Sequence, residues 1–275
     1  LLTPDPSWVQ WAKQLDDPGP PRPCDPPAPT PPVAARPKRL SVTAVETWMR
    51  DPYDLYARYV LRLRALDPLD QDPGAAEHGT LIHAVLEAFA READAQGLPG
   101  DVAATLRRIG VQKFDELKVR PGMRAFWWPR FERIADWLAE RERARRADGR
   151  RVLAERSGEM EVAGAHASLT LSAKADRIEV LPDGGLAVID YKTGTPPTEK
   201  QVTLGFAPQL PLEAAIAAHA GFPDVPAAGA RELAYWRLTG GREAGQELAL
   251  KRTDPDDLAA AALDGLTALV DKFAD

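Results

Sequence analysis

Two short stretches, Ala175-Asp-Arg-Ile-Glu179 and Val188-Ile-Asp-Tyr-Lys-Thr-Gly194, indicate both the fold and the chemistry of this chain. Each combines apolar and β-branched residues in the manner of a short strand. The sequence between them, Pro182-Asp-Gly-Gly185, is typical of a tight turn. The two stretches are therefore predicted to pair as a hairpin.

The second strand carries Asp190 and Lys192 on one face and Tyr191 on the other, because side chains alternate along a strand. The hairpin is expected to bring Asp176 alongside the charged face. Two converging carboxylates form a hard oxygen site that suits Mg²⁺. A lysine beside them stabilises developing phosphate charge, or holds the attacking water and helps to deprotonate it. This combination is what metal-dependent hydrolysis of a phosphodiester requires.

Two predicted helices add candidate residues to this site. Gly79-Thr-Leu-Ile-His83-Ala-Val-Leu-Glu87 places His83 and Glu87 four residues apart on one helical face. His83 offers an imidazole ligand for a divalent metal. Gln209 opens a later helix, where its amide is suited to contact a phosphate or a metal-bound water. Taken singly, each residue is more often structural or solvated, so the interpretation depends on their order along the chain.

The composition excludes several classes of protein. The 275 residues are 44% apolar and 28% charged with a net charge of −6, which argues against a uniformly basic nucleic-acid binder but not against a nuclease with a local basic track. The single cysteine, Cys24, excludes a four-cysteine iron–sulfur cluster built from this chain alone, and we expect none. The sequence shows neither a membrane span nor a signal pattern, so a cytoplasmic location without membrane contact is expected.

The chain is predicted to have two parts. Residues 1–37 contain 12 of the 26 prolines and are interpreted as a proline-rich linker with a short N-terminal segment. Residues 38–275 form the predicted catalytic domain. No Gly-x-x-x-x-Gly-Lys phosphate loop occurs in the sequence, so any ATP-driven unwinding belongs elsewhere.

The front half of that domain is predicted to be helical. Its helices are expected to begin at the capping box Thr43-Ala-Val-Glu46, at Asp51-Pro52, at Pro73, and at residues 101 and 122. The second of these helices is expected to run to about Arg64. The charged run Glu140–Asp148 is interpreted as a solvated helix end.

From residue 152 the periodicity becomes that of strands. The predicted strands are Glu159–Val162, Ala167–Leu171, Ala173–Leu181, Leu186–Tyr191, Glu232–Leu238 and one near Glu247–Leu250. Helices are predicted from about Pro208 to Ala220 and from Pro255 to Phe273. The order predicts an α+β fold in which helices flank a mixed sheet and a helical N-terminal part covers it.

The ordered motifs resemble the RecB-type branch of the PD-(D/E)XK nuclease superfamily, which has a restriction-endonuclease-like fold. The matching segments are GTLIHAVLE, KADRIE, DYKTG and the helix that starts at Gln209, together spanning residues 79–209. The flanking segments at 40–46, 51–58 and 61–69 are similar to the C-terminal nuclease region of AddB-type subunits of AddAB helicase–nucleases.

This resemblance implies a metal-dependent exonuclease that uses Mg²⁺, with Mn²⁺ as an alternative. It would cleave the 5′-ended single DNA strand of an unwound duplex end during double-strand break repair by homologous recombination, beside an AddA-type helicase–nuclease subunit. The residues that match the catalytic positions of the family are Asp176, Asp190, Lys192 and Gln209. The groups that match its metal ligands are His83, Asp176, Asp190 and the backbone carbonyl of Tyr191.

Two positions depart from the family pattern. The tyrosine that often follows the glutamine by one helical turn is Glu213 here, and Asp51 stands where iron–sulfur relatives have a cysteine. Two alternatives to the exonuclease remain open: an inactive nuclease-like scaffold that binds DNA or a helicase partner, and a stand-alone RecB-like exonuclease. The intact set of two aspartates and a lysine favours an enzyme.

Overall fold

A mixed sheet between two groups of helices organises the larger part of the chain. The computed structural model describes residues 6–17, 19–20, 23–26, 28–66 and 74–274. The chain divides into two compact units between Thr30 and Pro31. The first unit contains helix α1 (Pro6–Asp16), and the second contains the sheet. None of the helices in the described ranges is long and apolar enough to cross a membrane.

The elements of the second unit alternate between helical and extended groups. Its strands are β1 (Arg39–Ser41), β2 (Arg151–Ala163), β3 (Ser168–Val180), β4 (Leu186–Lys192), β5 (Ala230–Leu238) and β6 (Gly245–Ala249). Its α-helices are α2 (Val42–Arg50), α3 (Pro52–Leu55), α4 (Ala75–Gln96), α5 (Val102–Glu116), α6 (Pro121–Ala147), α7 (Glu199–Thr203), α8 (Gln209–Ala218) and α9 (Pro255–Ala274). The predicted α+β class is confirmed.

The described strands form one six-stranded sheet in the order β1-β3-β4-β5-β6, with β2 paired to β3. The pairs β1–β3 and β4–β5 are parallel, whereas β2–β3, β3–β4 and β5–β6 are antiparallel. The parallel β4–β5 pair needs a crossover, which α7 and α8 supply. The predicted turn closes the β3–β4 hairpin, with Gly184 at a φ of +86° that glycine adopts without steric cost.

Helices cover both faces of the central strands. Along β5, Leu233 and Tyr235 pack with α8 and α9, whereas Ala234 and Trp236 pack with α4, α5 and α6. All four side chains are essentially inaccessible to solvent. Burial of apolar side chains from both layers is the main source of stability, at about 1.5–3 kcal/mol for each large residue.

The starts of the front helices differ in part from the predictions. Ser41 caps α2, because its Oγ accepts a hydrogen bond from the Ala44 N–H at 3.1 Å, so the helix begins before Thr43 rather than at it. Asp51 caps α3 as predicted. That helix is short and continues as a π-helical segment (Tyr56–Val60) instead of running to Arg64. Pro73, the predicted start of α4, lies outside the described residues.

The hairpin of β2 and β3 is longer than the sequence pattern indicated. β2 starts at Arg151, eight residues before the predicted strand start at Glu159. β3 is continuous, whereas two strands were predicted in the same region. Charged and small residues interrupt the apolar alternation of both strands. The strands are long because they pair with each other at twelve positions, which the sequence pattern does not show.

The charged run Glu140–Asp148 is only in part the solvated helix end that the sequence predicted: most of its residues are exposed, but two are buried. Glu142 and Arg145 are only 3% and 9% exposed. Arg145 Nε donates to both carboxylate oxygens of Glu179 at 3.0 Å, and Arg177 forms an ion pair with Glu142. One face of α6 therefore lies against charged residues of β3, which hydropathy alone does not reveal.

Candidate active site

The sheet opens between β3 and β4 next to Asp176. β2 occupies one edge of β3, so β1 and β4 share the other edge, where β1 pairs with residues 170–172 and β4 with residues 177–180. In the described chain, no strand pairs with residues 173–176 on that edge. The Tyr191 N–H crosses the opening and donates to Asp176 Oδ2 at 2.8 Å. Polar side chains converge there beside the carboxyl end of β4, a location typical of sites in sheets that contain parallel strands.

Asp190 lies in this cleft with protein groups against both carboxylate oxygens. Gln209 Nε2 donates to Oδ1 at 2.6 Å, and Lys192 Nζ lies 2.7 Å from Oδ2. Burial raises the pKa of Asp190 to about 6, although the Lys192 charge opposes this rise and the Asp176 charge adds to it. These contacts fix the orientation of the Asp190 side chain.

Lys192 supplies the positive charge of the cleft. Burial alone lowers the pKa of its ammonium, but the charge and hydrogen bond of Asp190 outweigh burial and raise the pKa above its ordinary value. Its Nζ also donates to Gln209 Oε1 at 3.2 Å. Lys192 is therefore charged at neutral pH, which suits it to stabilise negative charge on a phosphate.

His83 lies on α4, and its imidazole contacts both Asp176 and the backbone of Tyr191. Its Nδ1 lies 3.3 Å from Asp176 Oδ1, and its Nε2 lies 3.1 Å from the Tyr191 carbonyl oxygen. Burial lowers the pKa of His83, but the hydrogen bond and charge of Asp176 outweigh burial, and the pKa is raised. The helix approaches the end of β4 closely at Gly79, where a Cβ atom would lie 3.1 Å from the Thr193 hydroxyl.

Glu155 is an acidic residue of the cleft that the motifs did not indicate. The β2–β3 register places it across from Asp176. Its φ of +52° is rare for a residue with a side chain, and such backbone strain clusters at functional sites. His83, Glu155 and Asp176 each offer one ligand atom, and these three atoms lie within 4.8 Å of one another.

Lys174 is the counter-ion of Glu155. Its Nζ lies 2.7 Å from Glu155 Oε2 and 3.8 Å from Glu87 Oε2. Burial raises the pKa of Glu155, and the hydrogen bond from Lys174 offsets only part of that rise. Lys174 is half-exposed, so a cation that binds Glu155 competes with a side chain that is able to move toward solvent.

Glu213 lies one helical turn after Gln209 and is 1% exposed. Its Oε1 accepts a hydrogen bond from Gln209 Nε2 at 3.1 Å, while its Oε2 has no hydrogen-bond partner among the described residues. Burial raises the pKa of Glu213 well above its ordinary value, and the charges of Asp190 and Asp176 raise it further.

The donor atoms fit a hard divalent cation. An imidazole nitrogen and two carboxylates, from His83, Glu155 and Asp176, form the cluster, and the Tyr191 carbonyl oxygen lies against the same imidazole. Oxygen donors suit Mg²⁺ and Mn²⁺, and imidazole is better tolerated by Mn²⁺. When bound, such an ion polarises a phosphate and activates water.

The structure brings the sequence-predicted residues to one cleft: His83, Asp176, Asp190, Tyr191, Lys192 and Gln209. Within it, Asp190 faces Lys192 and Gln209 and lies outside the three-residue donor cluster. Glu155 belongs to that cluster but was missed, because the predicted strand began four residues after it. The register of the β2–β3 hairpin could have indicated Glu155, but only if the start of β2 at Arg151 had been known.

The fold and the cleft agree with the protein family that the sequence matches. The model of the PD-(D/E)XK nuclease superfamily matches residues 39–275, an interval that begins with β1 and contains all the described strands. The chain therefore belongs to the PD-(D/E)XK nuclease superfamily, whose members are generally hydrolytic nucleases that use divalent metals.

Its similar proteins include longer bacterial chains. Uncharacterized proteins of Rickettsia bellii and Rickettsia conorii are 31% identical over 186 residues and 30% identical over 189 residues. Each alignment covers 68% of this chain but only 22% and 23% of the relative, so the chain spans less than a quarter of these curated relatives. The crystal structure of SSO0001 is similar at 15% identity over 70% of this chain and 86% of that chain, with a TM-score of 0.27.

Proposed function

We propose that this chain is a metal-dependent deoxyribonuclease that hydrolyses phosphodiester bonds of single DNA strands. The observation that carries the proposal is the arrangement of one cleft. The Asp190–Lys192 ion pair lies beside a cluster of three metal donors, His83, Glu155 and Asp176. Membership of a nuclease superfamily supports the same reaction class.

Each side chain has a distinct role in this proposal. His83, Glu155 and Asp176 hold the metal, and the Tyr191 carbonyl oxygen is the adjacent backbone donor. Lys192 orients the attacking water and stabilises the charge that develops on the phosphate. Asp190 fixes the Lys192 ammonium through Oδ2, and its Oδ1, which accepts a hydrogen bond from Gln209, remains a candidate metal ligand. Gln209 orients both of them through its amide.

The proposed branch of the superfamily, the DNA strand that is cut and the partner subunit rest on the motif resemblance. It supports an AddB-type nuclease that degrades the 5′-ended strand as an exonuclease, beside an AddA-type helicase–nuclease subunit in the cytoplasm. The biological role would then be double-strand break repair by homologous recombination. Residues 1–37 would act as a proline-rich linker before the catalytic domain at 38–275.

The test is cleavage of defined DNA by the purified chain. Single strands labelled at the 5′ or the 3′ end, the matching duplex and a single-stranded RNA are incubated with Mg²⁺, with Mn²⁺ or with a chelator. The proposal predicts metal-dependent loss of single-stranded DNA, with duplex and RNA cut more slowly. Release of short labelled products from the 5′ end alone supports 5′-strand exonuclease action.

The scaffold alternative predicts a different result in the same assay. Binding of single-stranded DNA without cleavage in either metal, under conditions in which calorimetry shows the metal to be bound, would contradict the nuclease proposal. Cleavage of RNA and DNA at equal rates would support a phosphodiester hydrolase but contradict the proposed preference for DNA.

A further inference from the structure

Glu213 occupies a position where a carboxyl group is costly. It lies on α8, where every residue from Leu210 to Ala217 is buried. No cation lies within salt-bridge distance of it among the described residues, and Oε2 lacks a partner. A buried carboxyl group without a cation destabilises a fold, so an apolar residue of similar size would suit the packing of this helix better.

The contacts of the Gln209 side chain show what Glu213 does. The Nε2 group has two hydrogens, and its two acceptors are Asp190 Oδ1 at 2.6 Å and Glu213 Oε1 at 3.1 Å. The Oε1 atom accepts from Lys192 Nζ at 3.2 Å. A reversed amide would place its oxygen against two carboxyl groups and its hydrogens against an ammonium. Glu213 therefore contributes one of the contacts that select a single orientation of this amide.

We infer that Glu213 is a positioning residue that holds the Gln209 amide in the orientation that fixes Asp190 and Lys192 for the reaction. The inference rests on the proposed nuclease function and adds to it a residue whose hydrogen bond reaches the site through Gln209. Without the Glu213 acceptor, one amide hydrogen is left unpaired in a buried site, and only the contacts with Asp190 and Lys192 still hold the amide in place.

The test compares one polar and two apolar replacements. Glu213→Gln keeps an acceptor for Gln209, whereas Glu213→Leu and Glu213→Met remove it and retain the volume. Ile216→Leu on the same helix is the matched control for a volume-conserving change at a buried position. Each variant is measured by urea unfolding, by single-turnover cleavage of single-stranded DNA with saturating Mg²⁺, and by NMR of selectively ¹⁵N-labelled glutamine side chains.

The expected pattern separates stability from activity. Glu213→Leu and Glu213→Met should unfold at the parental urea midpoint or higher, yet cleave about 10- to 100-fold more slowly, with the protein concentration that gives half the maximal rate unchanged. Glu213→Gln should keep the rate within about threefold of the parent. The Gln209 amide resonances, assigned by their loss in Gln209→Leu, should move toward free-amide positions in the two apolar variants only.

Two outcomes would overturn this inference. One is parental cleavage by both apolar variants with unmoved Gln209 resonances. The other is a loss of activity that merely parallels a lower urea midpoint, again with unmoved resonances, because this indicates a structural role. If the parent chain cleaves no DNA, the proposed function fails, whereas the NMR comparison still decides whether Glu213 orients Gln209.

Discussion

Glu155 combines a strained backbone with a buried carboxylate, and it meets His83 and Asp176 where the sheet opens. A residue with a side chain occupies the left-handed region only when its surroundings require it. Here the surroundings include Lys174, whose ammonium lies 2.7 Å from the carboxylate. These features make Glu155 a candidate metal ligand of the cleft, and its substitution tests that role.

Glu155→Gln is predicted to weaken metal binding. The amide has a similar shape but lacks the negative charge that a hard cation needs, so the dissociation constant for Mn²⁺ should rise at least tenfold. Calorimetric titration measures this directly. The matched control is Glu159→Gln on the same strand, because that carboxylate is 56% exposed and pairs with Arg39. Equal affinity in parent and Glu155→Gln would remove Glu155 from the site.

At the scale of elements, the β3–β4 hairpin and its turn were predictable because the motif residues and the glycines lie within the pattern itself. The start of β2 was not, since Glu155 and Arg156 interrupt its alternation and only pairing with β3 extends the strand. The buried face of α6 was also unpredictable. Its charges lie inside because Arg177 and Glu179 on β3 complement them, a pairing between elements that are distant in sequence.

The ion network between α6 and β3 predicts an acid-sensitive fold. Burial alone raises the pKa of Glu179, but the Arg177 charge and the Arg145 hydrogen bond outweigh it and lower the pKa from an ordinary 4.5 to about 2. A group with a lowered pKa in the folded state stabilises the protein above its unfolded pKa. The free energy of unfolding should therefore fall by on the order of 3 kcal/mol between pH 4.5 and 2 from this group.

Urea unfolding at several pH values checks this prediction. Glu179→Gln should be less stable at neutral pH, because it leaves two buried arginines short of a counter-charge, and it should lose most of the acid slope. Glu159→Gln should retain the parental slope, since its carboxylate is exposed. An unchanged slope in Glu179→Gln would mean that other carboxylates cause the acid sensitivity.

At the scale of the whole molecule, the sequence predicted the α+β class, most of the helices and strands of residues 38–275 in their order, and the convergence of Asp176 with the Asp190–Lys192 strand. It predicted neither β1 nor α7, and it divided β3 into two strands. It did not predict that β1 pairs in parallel with β3, because a three-residue strand carries too little pattern. That pairing matters for the site, since β1 and β4 share one edge of β3 and leave the cleft between them.

Under the proposed function, the net charge predicts how affinity for single-stranded DNA depends on salt. Because the chain carries a net charge of −6, contacts with phosphates depend on local cations, such as Lys174 and Lys192 in the cleft. Each phosphate contact to a single strand contributes about 0.7 to the slope of log affinity against log salt. With about three contacts, affinity for a single strand should fall roughly twentyfold between about 50 and 200 mM salt. Fluorescence anisotropy measures the slope, and tight binding that is insensitive to salt would contradict an electrostatic contact surface.

The most direct test of the active-site assignment is the Lys192→Ala variant, measured by metal titration and by single-turnover cleavage of single-stranded DNA. Lys192 contributes charge and orientation but no metal ligand. The variant should therefore bind Mn²⁺ at least as tightly as the parent and cleave about 10²–10³-fold more slowly, as expected when one preorganised charge-stabilising group is lost. Cleavage at the parental rate with normal metal binding would contradict the assignment of this cleft as the active site.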